Sequence, residues 1–426
     1  DIQMIMLSAT IDSPETFAKW AQRGDETKDI YLASTHKRVV PLTHYGYLTV
    51  NEGTVKLIKD KTVQQDIKSS THKLIKLQSD KGVFNEDGYN TINRMTKLFK
   101  SKSVYAKKKH VLNNLGVFLK QNDMLPAIAF IFSRKMVEIC ANEMTVSLLE
   151  DDSKVPYTVR KECDQILRKL PNYKEYLELP EYDELVSLLE KGIGIHHSGM
   201  IPILREIVEI MISKKYIKML FATESFAIGL DCPIKTAIFT SITKFDGRNE
   251  RILMSHEYTQ MAGRAGRRGI DTIGHVVHCN NLFHLPTKND YINMLNGKPQ
   301  TLVSKFRISF QLILSLLKNN QLSMDNFIKF AEHSMIRNEI NKDILYGKQE
   351  LESNIKLREE FDKKKTFMKT PISVCENYIK LLDDFPNLKN KKRKECEKEL
   401  KNIENEYRNC KEESIIFKDL SILDSK

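Results

Sequence analysis

No apolar run in these 426 residues approaches the roughly twenty that a membrane span requires, although apolar side chains make up 41% of the chain. A membrane partner is therefore not expected, and the same apolar fraction excludes a disordered chain. The seven cysteines (Cys140, Cys163, Cys232, Cys279, Cys375, Cys396 and Cys410) stand singly, without a CxxC pair or a metal-ligand spacing. An odd, unpatterned set excludes a disulfide framework and fits a reducing compartment, so an intracellular protein is expected. No secretory leader opens the sequence. Its two Gly-Lys pairs, Gly297-Lys298-Pro299 and Gly347-Lys348-Gln349, are followed by neither Ser nor Thr, which excludes a phosphate-cradling P-loop from these residues.

What is present in excess is positive charge, 67 Lys and Arg against 56 Asp and Glu. Much of the surplus sits between Asn51 and His110, where 13 Lys and one Arg face six acids. Such a segment fits either a polyanion partner or a solvated linker. Lys107 to Lys109 are expected on a solvated face, and Lys389 to Lys394 either at a hairpin tip or against a partner.

The opening DIQMIMLSAT carries the apolar run of a buried strand with nothing before it, so the chain is expected to be a piece of something longer. SPET predicts a helix start leading through Phe17 and Trp20, and DIYLAS a further strand. Beyond the basic segment, strands are predicted at Ala127 to Phe132, at GIGIH, YIKMLFAT, TAIFTSI and GHVVHC, with an amphipathic helix carrying Ile203, Ile207 and Ile210 among them. Alternating strands and helices predict a doubly wound α/β domain built on a mostly parallel sheet, with ligands gathered at the carboxyl ends of its strands. Those ends are expected to be SRK, HHSG, ATESFAIGLDCP and QMAGRAGRRG. His196 and His197, adjacent on a strand end, should point to opposite faces rather than share a metal.

After Asn280 the pattern becomes helical, with Phe306, Phe310, Ile313 and Leu317 on one stripe and a Ser cap before MDNFIKF. Cys396, Leu400, Ile403, Tyr407 and Cys410 alternate by four and three, the seam of a coiled coil or of an amphipathic helix that needs an apolar partner.

QMAGRAGRRG, residues 260 to 269, sets three glycines among three arginines. Arg264 and Arg267 are three apart, so on a helical turn they would converge on one target, and guanidinium suits phosphate oxygens. The glycines would let a second surface approach closely.

Taken in order, SAT at 8–10, FSR at 132–134, HHSG at 196–199, ATESFAIGLDCP at 222–233 and QMAGRAGRRG at 260–269 resemble the ordered motifs of superfamily 2 DExH-box helicases, and more narrowly the superkiller and exosome-cofactor RNA helicases. The resemblance covers residues 1 to about 340. It implies two RecA-like domains clamping ATP and Mg²⁺ between them with single-stranded or structured RNA across their top, and a place in an RNA-decay or exosome-type complex. Residues 1–50 would then end the first domain, 51–110 form a basic linker or insertion, and 111–285 make the second. Residues 286–340 would start a helical, winged-helix-like region, and 341–426 part of a helical stalk.

By resemblance, Ser8 and Thr10 would couple hydrolysis to RNA, while Phe132, Ser133, Arg134 and Thr223 would meet the RNA backbone. Gly229, Asp231 and Gly263 would face the nucleotide. Gln260, Arg264 and Arg267 would reach the ATP phosphates, with Arg267 as the arginine finger. Asp231 departs from the Asn that many of the group carry. A DExH carboxylate pair is absent as well as the P-loop, and the residues that hold Mg²⁺ are expected upstream of Asp1. An ATP-driven RNA motor is favoured over a nucleotide-independent RNA scaffold, which has no use for a finger. A DNA helicase of the same superfamily would more often carry Arg-Pro-Gly where this chain has Arg267-Arg268-Gly269.

Overall fold

The computed structural model describes residues 5–8, 11–22, 29–35, 38–149, 154–227, 234–297, 306–318 and 323–424, with 232, 299, 302 and 304 singly. Two compact units emerge: one from residues 1–15 and 31–302, the other from 16–30 and 303–426.

The first unit is a seven-stranded sheet. Its strands are β1 (Leu42–Leu48), β2 (Lys73–Gln78), β3 (Ala127–Phe130), β4 (Ile193–His196), β5 (Met219–Ala222), β6 (Thr236–Phe239) and β9 (Gly274–Cys279), in the order β2-β1-β9-β6-β3-β5-β4. All neighbours run parallel except the β1–β2 edge pair. A small hairpin of β7 (Thr243–Phe245) and β8 (Glu250–Ile252) follows β6. The helices of this unit are α2 (Glu52–Lys56), α3 (Lys61–Ser70), α4 (Glu86–Ser101), α5 (Lys108–Gln121), α6 (Arg134–Asn142), α7 (Lys154–Leu167), α8 (Tyr173–Leu177), α9 (Pro180–Leu189), α10 (Pro202–Ser213), α11 (Ser255–Ala262) and α12 (Lys288–Asn296), after α1 (Pro14–Gln22). Central strands wholly buried, such as β3, β5 and β6, read in sequence as short apolar runs because helices cover both faces. One layer packs Leu204, Ile207, Val208 and Met211 of α10 beneath Phe130 and Phe239, and the other packs Val137 and Cys140 of α6 beneath Ala129 and Phe221. Of the expected stripe on α10 only Ile207 is fully buried.

Three boundaries differ from those expected. Residues 51–110 are folded: β2 extends the sheet by pairing with β1, and Ile67, Ile92, Met95 and Phe99 of α3 and α4 lie in the core. The lysines of this segment occupy the outer faces of amphipathic elements, so net charge masked a half-buried pattern. Strand β1, which lies in the stretch expected to end the first domain, pairs instead with β9 of the central sheet. Helix α12 also belongs here, since Tyr291, Met294 and Leu295 are core residues.

The expected opening strands do not form among the described residues. Residues 5–8 and 29–35 carry no ladder, and Ile5 and Leu7 are 76% and 92% exposed. An apolar run becomes a strand only where a neighbour offers hydrogen bonds and cover.

The second unit holds most of α1, whose Trp20 indole donates to the carbonyl of His333 (2.9 Å), together with α13 (Phe310–Lys318), α14 (Met324–Glu332), α15 (Met335–Thr366), α16 (Ile372–Asp384), α17 (Asn390–Glu406) and α18 (Cys410–Asp424). Ser323 caps α14 by accepting from the Asn326 amide. On α13 the buried residue is Leu316, whereas Phe310 and Leu317 face outward. The four-and-three seam does not run as one coiled-coil helix: α17 ends at Glu406, and Cys410 opens α18. Tyr378 of α16 closes over Cys396, Leu400 and Cys410, so the seam finds its apolar partner within the chain. Glu413 of α18 pins the turn before α16 by accepting the amides of Lys369 and Thr370, each at 2.9 Å.

Candidate functional site

Two groups of expected site residues lie on different edges of the first unit's sheet. At the carboxyl edge, the ends of β3, β5 and β4 are neighbours, and the ladder continues into their loops. The Ile131 amide donates to the Ala222 carbonyl (2.9 Å), and the Thr223 amide to that of His196 (3.3 Å). Ser133 is the N-cap of α6, its hydroxyl accepting from the Met136 amide, so Arg134 opens the helix, exposed and without an ion pair among the described residues. Phe132 is half-buried against the core. The Thr223 and Ser225 hydroxyls are 2.8 Å apart where β5 passes into a 3-10 turn, Glu224–Ala227.

The paired histidines do face opposite layers. His196 bonds through Nε2 to Glu209 of α10 (2.9 Å) and sets its ring edge-on to Phe226, centroids 4.7 Å apart. Burial lowers its pKa, with Glu209 pulling the other way. The His197 Nδ1 accepts the Gly199 amide (3.1 Å), which fixes the tautomer so that Nε2–H donates to Glu138 of α6 (3.1 Å). A methyl group at Gly199 would stand 3.3 Å from the Arg134 side chain, so these loops touch.

QMAGRAGRRG does not lie at a strand's carboxyl end. Helix α11 runs back across the sheet, Ala265 bridges to Ile234 just before β6, and the Gly266 amide donates to the Ile234 carbonyl (2.9 Å), so the stretch occupies the amino edge. Gln260 is exposed on the last turn of α11, and Gly263 caps that helix. Arg264 and Arg267 follow the helix and do not converge. The Arg264 Nε donates to the Ala227 carbonyl (2.9 Å), joined there by its Nη2. Arg267 donates through Nε and Nη2 to Asp271, both at 2.7 Å. That pairing holds the Asp271 carboxyl below the usual carboxylate range and raises Arg267. Nor do the glycines serve only a foreign surface. Gly266 has φ +88°, and a methyl group there would lie 2.5 Å from Val40 Cγ1; Gly269 turns the chain at φ +76°.

Residues that sequence reasoning missed hold this stretch in place. Arg38 donates to the carbonyls of Val40 (2.7 Å), Gly263 (2.7 Å) and Ala265 (2.8 Å); with Gly263 lying 225 positions after Arg38, no local signal could reveal it. Asp271 did have a signal, an acid four residues after Arg267. The other end of α11 is fixed by Glu257, which accepts from the Met254 amide (2.9 Å), from both arms of Arg251 (2.8 and 2.9 Å) and from Lys244 (2.7 Å). Burial pushes its carboxyl up, but those donors bring it down to about 2. A buried chain binds α11 to the sheet: His44 and Tyr258 share a hydrogen bond (2.6 Å), as do Tyr258 and His278 (2.8 Å), and His278 bonds to Tyr291. Burial drives His44 down to about 4, with the Arg38 charge adding to the effect.

Comparison with known proteins decides the family. The chain is 33% identical over 365 residues to DExH-box ATP-dependent RNA helicase DExH11 of Arabidopsis thaliana, covering 78% of this chain and 27% of the relative. It is 33% identical over 345 residues to superkiller complex protein 2 of Homo sapiens (77% and 26%), and 32% identical over 329 residues to ATP-dependent RNA helicase mtr4 of Schizosaccharomyces pombe (75% and 28%). The chain belongs to the superkiller group of DExH-box RNA helicases. No family model matches it. It spans about a quarter of the length of these DExH-box relatives. Of the residues that the DExH-box resemblance marks, Thr10, Gly229 and Asp231 lie outside the described residues, and Ser8 lies in an exposed segment without a ladder.

Proposed function

We propose that this chain carries the second RecA-like domain of an ATP-dependent RNA motor, with RNA read at the carboxyl edge of the sheet and ATP phosphates at QMAGRAGRRG. One observation carries the reading: a single 3-10 turn joins the two sites. Thr223 precedes the turn at the carboxyl edge, and Ala227 ends it as the acceptor of Arg264. Phe226, buried between them, meets the ring of His196 edge-on. A shift of one end must move the other, which is what an RNA-stimulated hydrolase requires.

The donor set fits this division. Arg134 and Ser133 at the N-terminus of α6 are suited to backbone phosphates, whose contacts give sequence-independent binding that weakens with salt. Gln260, Arg264 and Arg267 are amide and guanidinium donors, which suit polyphosphate oxygens. Phosphoryl transfer needs little covalent help and much charge stabilisation, and an arginine supplied across a cleft makes hydrolysis conditional on closure. The carboxylates that hold Mg²⁺ and the loop that cradles phosphate belong, in this reading, to a part of the protein preceding Asp1. Residues 1–426 alone should then not hydrolyse ATP. Exposed Ile5 and Leu7 fit the end of that first domain. The motor would serve RNA processing or decay.

The test is Arg267→Lys in the full-length protein, because an ammonium lacks the planar fork. RNA-stimulated turnover should fall by about 10³ to 10⁵, the value of an arginine finger. RNA affinity by anisotropy should stay within a few-fold. Wild-type turnover would remove Arg267 from the nucleotide site, and parallel loss of RNA binding would move it to the RNA surface.

A further inference from the structure

We infer that Asp271 is the positioning residue of Arg267, holding one edge of its guanidinium so that the other is presented to a nucleoside triphosphate. The inference rests on the proposed role of Arg267. Three N–H groups of the same residue converge on the Asp271 carboxylate: the Arg267 main-chain amide (2.9 Å), Nε (2.7 Å) and Nη2 (2.7 Å). The main chain closes the same turn, the amides of Ile270 and Asp271 donating to the Arg267 carbonyl at 3.1 and 2.9 Å. The Asp271 side chain is 5% exposed against 22% for Arg267.

An i,i+4 ion pair on a solvated surface would be loose and worth little. This carboxylate is different, because it is buried and also bonded to the main chain, so it cannot swing away with the arginine. It uses the Nε–Nη2 edge and leaves Nη1, which makes no hydrogen bond among the described residues. An arginine held in this way has given up its rotamer freedom before the phosphate arrives, the condition for stabilising charge that appears only in the transition state. Asp271 touches no reacting atom in this account and acts through Arg267 alone.

The experiment is a double-mutant cycle in the full-length protein, with RNA-stimulated ATPase, RNA affinity and melting temperature measured for Asp271→Asn, Arg267→Ala and the double variant. Asp271→Asn should lose about 10- to 100-fold in kcat, the loss that partners orienting a metal ligand carry, taken over here to an oriented guanidinium, with KM for ATP and RNA affinity near wild type. In the Arg267→Ala background it should cost no further turnover. Asp271→Glu, which keeps the charge and moves the carboxylate by one methylene, should lose kcat as well and guards against a variant that fails to fold. Without nucleotide, phenylglyoxal should modify Arg267 faster in Asp271→Asn than in wild type, as read by peptide mapping. Wild-type kcat in both Asp271 variants, an equal loss in the Arg267→Ala background, or an unchanged modification rate would each overturn the inference. Wild-type turnover in Arg267→Ala would instead overturn the role of Arg267, and this inference with it.

Discussion

Arg134 and Arg267 sit on opposite edges of one sheet and are held in contrasting ways. Arg134 heads α6 in the open, with the loop at Gly199 against its stem. Arg267 is gripped by a buried carboxylate, in a stretch that Arg38 ties to the rest of the unit and that α11 anchors through Glu257. A side chain that meets a mobile, sequence-variable polymer gains from adaptability, because every nucleotide step presents its phosphates slightly differently. One that meets a developing charge gains from being fixed beforehand. On this account the sheet separates the two requirements, and the turn from Thr223 to Ala227 connects them.

Disturbing the fixed edge should be the more costly change. Gly266→Ala places a methyl group against Val40 at a positive φ, costing roughly 2 to 5 kcal/mol from left-handed strain and overpacking. Chemical denaturation should show that loss, and turnover should fall with it because Arg267 is one residue away.

Glu257→Gln comes next, at about 1.5 to 3 kcal/mol, the worth of hydrogen bonds to a charged group. Its carboxyl is held at about 2, below the usual value near 4.5, so its contribution is fully present above 4.5 and lost as the pH falls towards 2. Stability curves of wild type and Glu257→Gln should therefore converge over that window. Curves that stay parallel would mean the three donors do not act on the ionised form.

At the open edge the stability cost should be smallest. Arg134→Ala should change stability by under about 0.5 kcal/mol, as surface changes do. It should lower the salt slope of RNA binding by about 0.7, the counterion release of one phosphate contact on a single strand. An unchanged slope would take Arg134 off the RNA path.

Much of this division was legible in the sequence, though unevenly. Strands β3, β5 and β6 read as apolar runs because both faces are buried. Strand β1 did not, because His44 breaks the run and its ring is satisfied by Tyr258, 214 residues away. Strand β2 was hidden by Lys73 and Lys76, two exposed charges that interrupt its apolar residues. The four-and-three seam was visible, but the reversal at Tyr407 to Cys410 was not, since the periodicity passes through the turn unbroken. At the site, chemistry was more legible than geometry. Guanidinium and glycine gave the stretch the chemistry that we propose is directed at phosphate, while its place on the amino edge depends on the direction of α11, and the separate targets of Arg264 and Arg267 depend on Ala227 and Asp271.

The most direct test pairs the two arginines in one assay. RNA-stimulated ATPase at saturating RNA and RNA affinity at moderate salt should be measured together for Arg134→Ala and Arg267→Lys in the full-length protein. The account predicts a crossed result: Arg134→Ala weakens RNA binding while turnover at saturation is largely kept, and Arg267→Lys abolishes turnover while RNA binding is kept. Parallel losses of both quantities in both variants would contradict it, because the two edges would then serve one ligand.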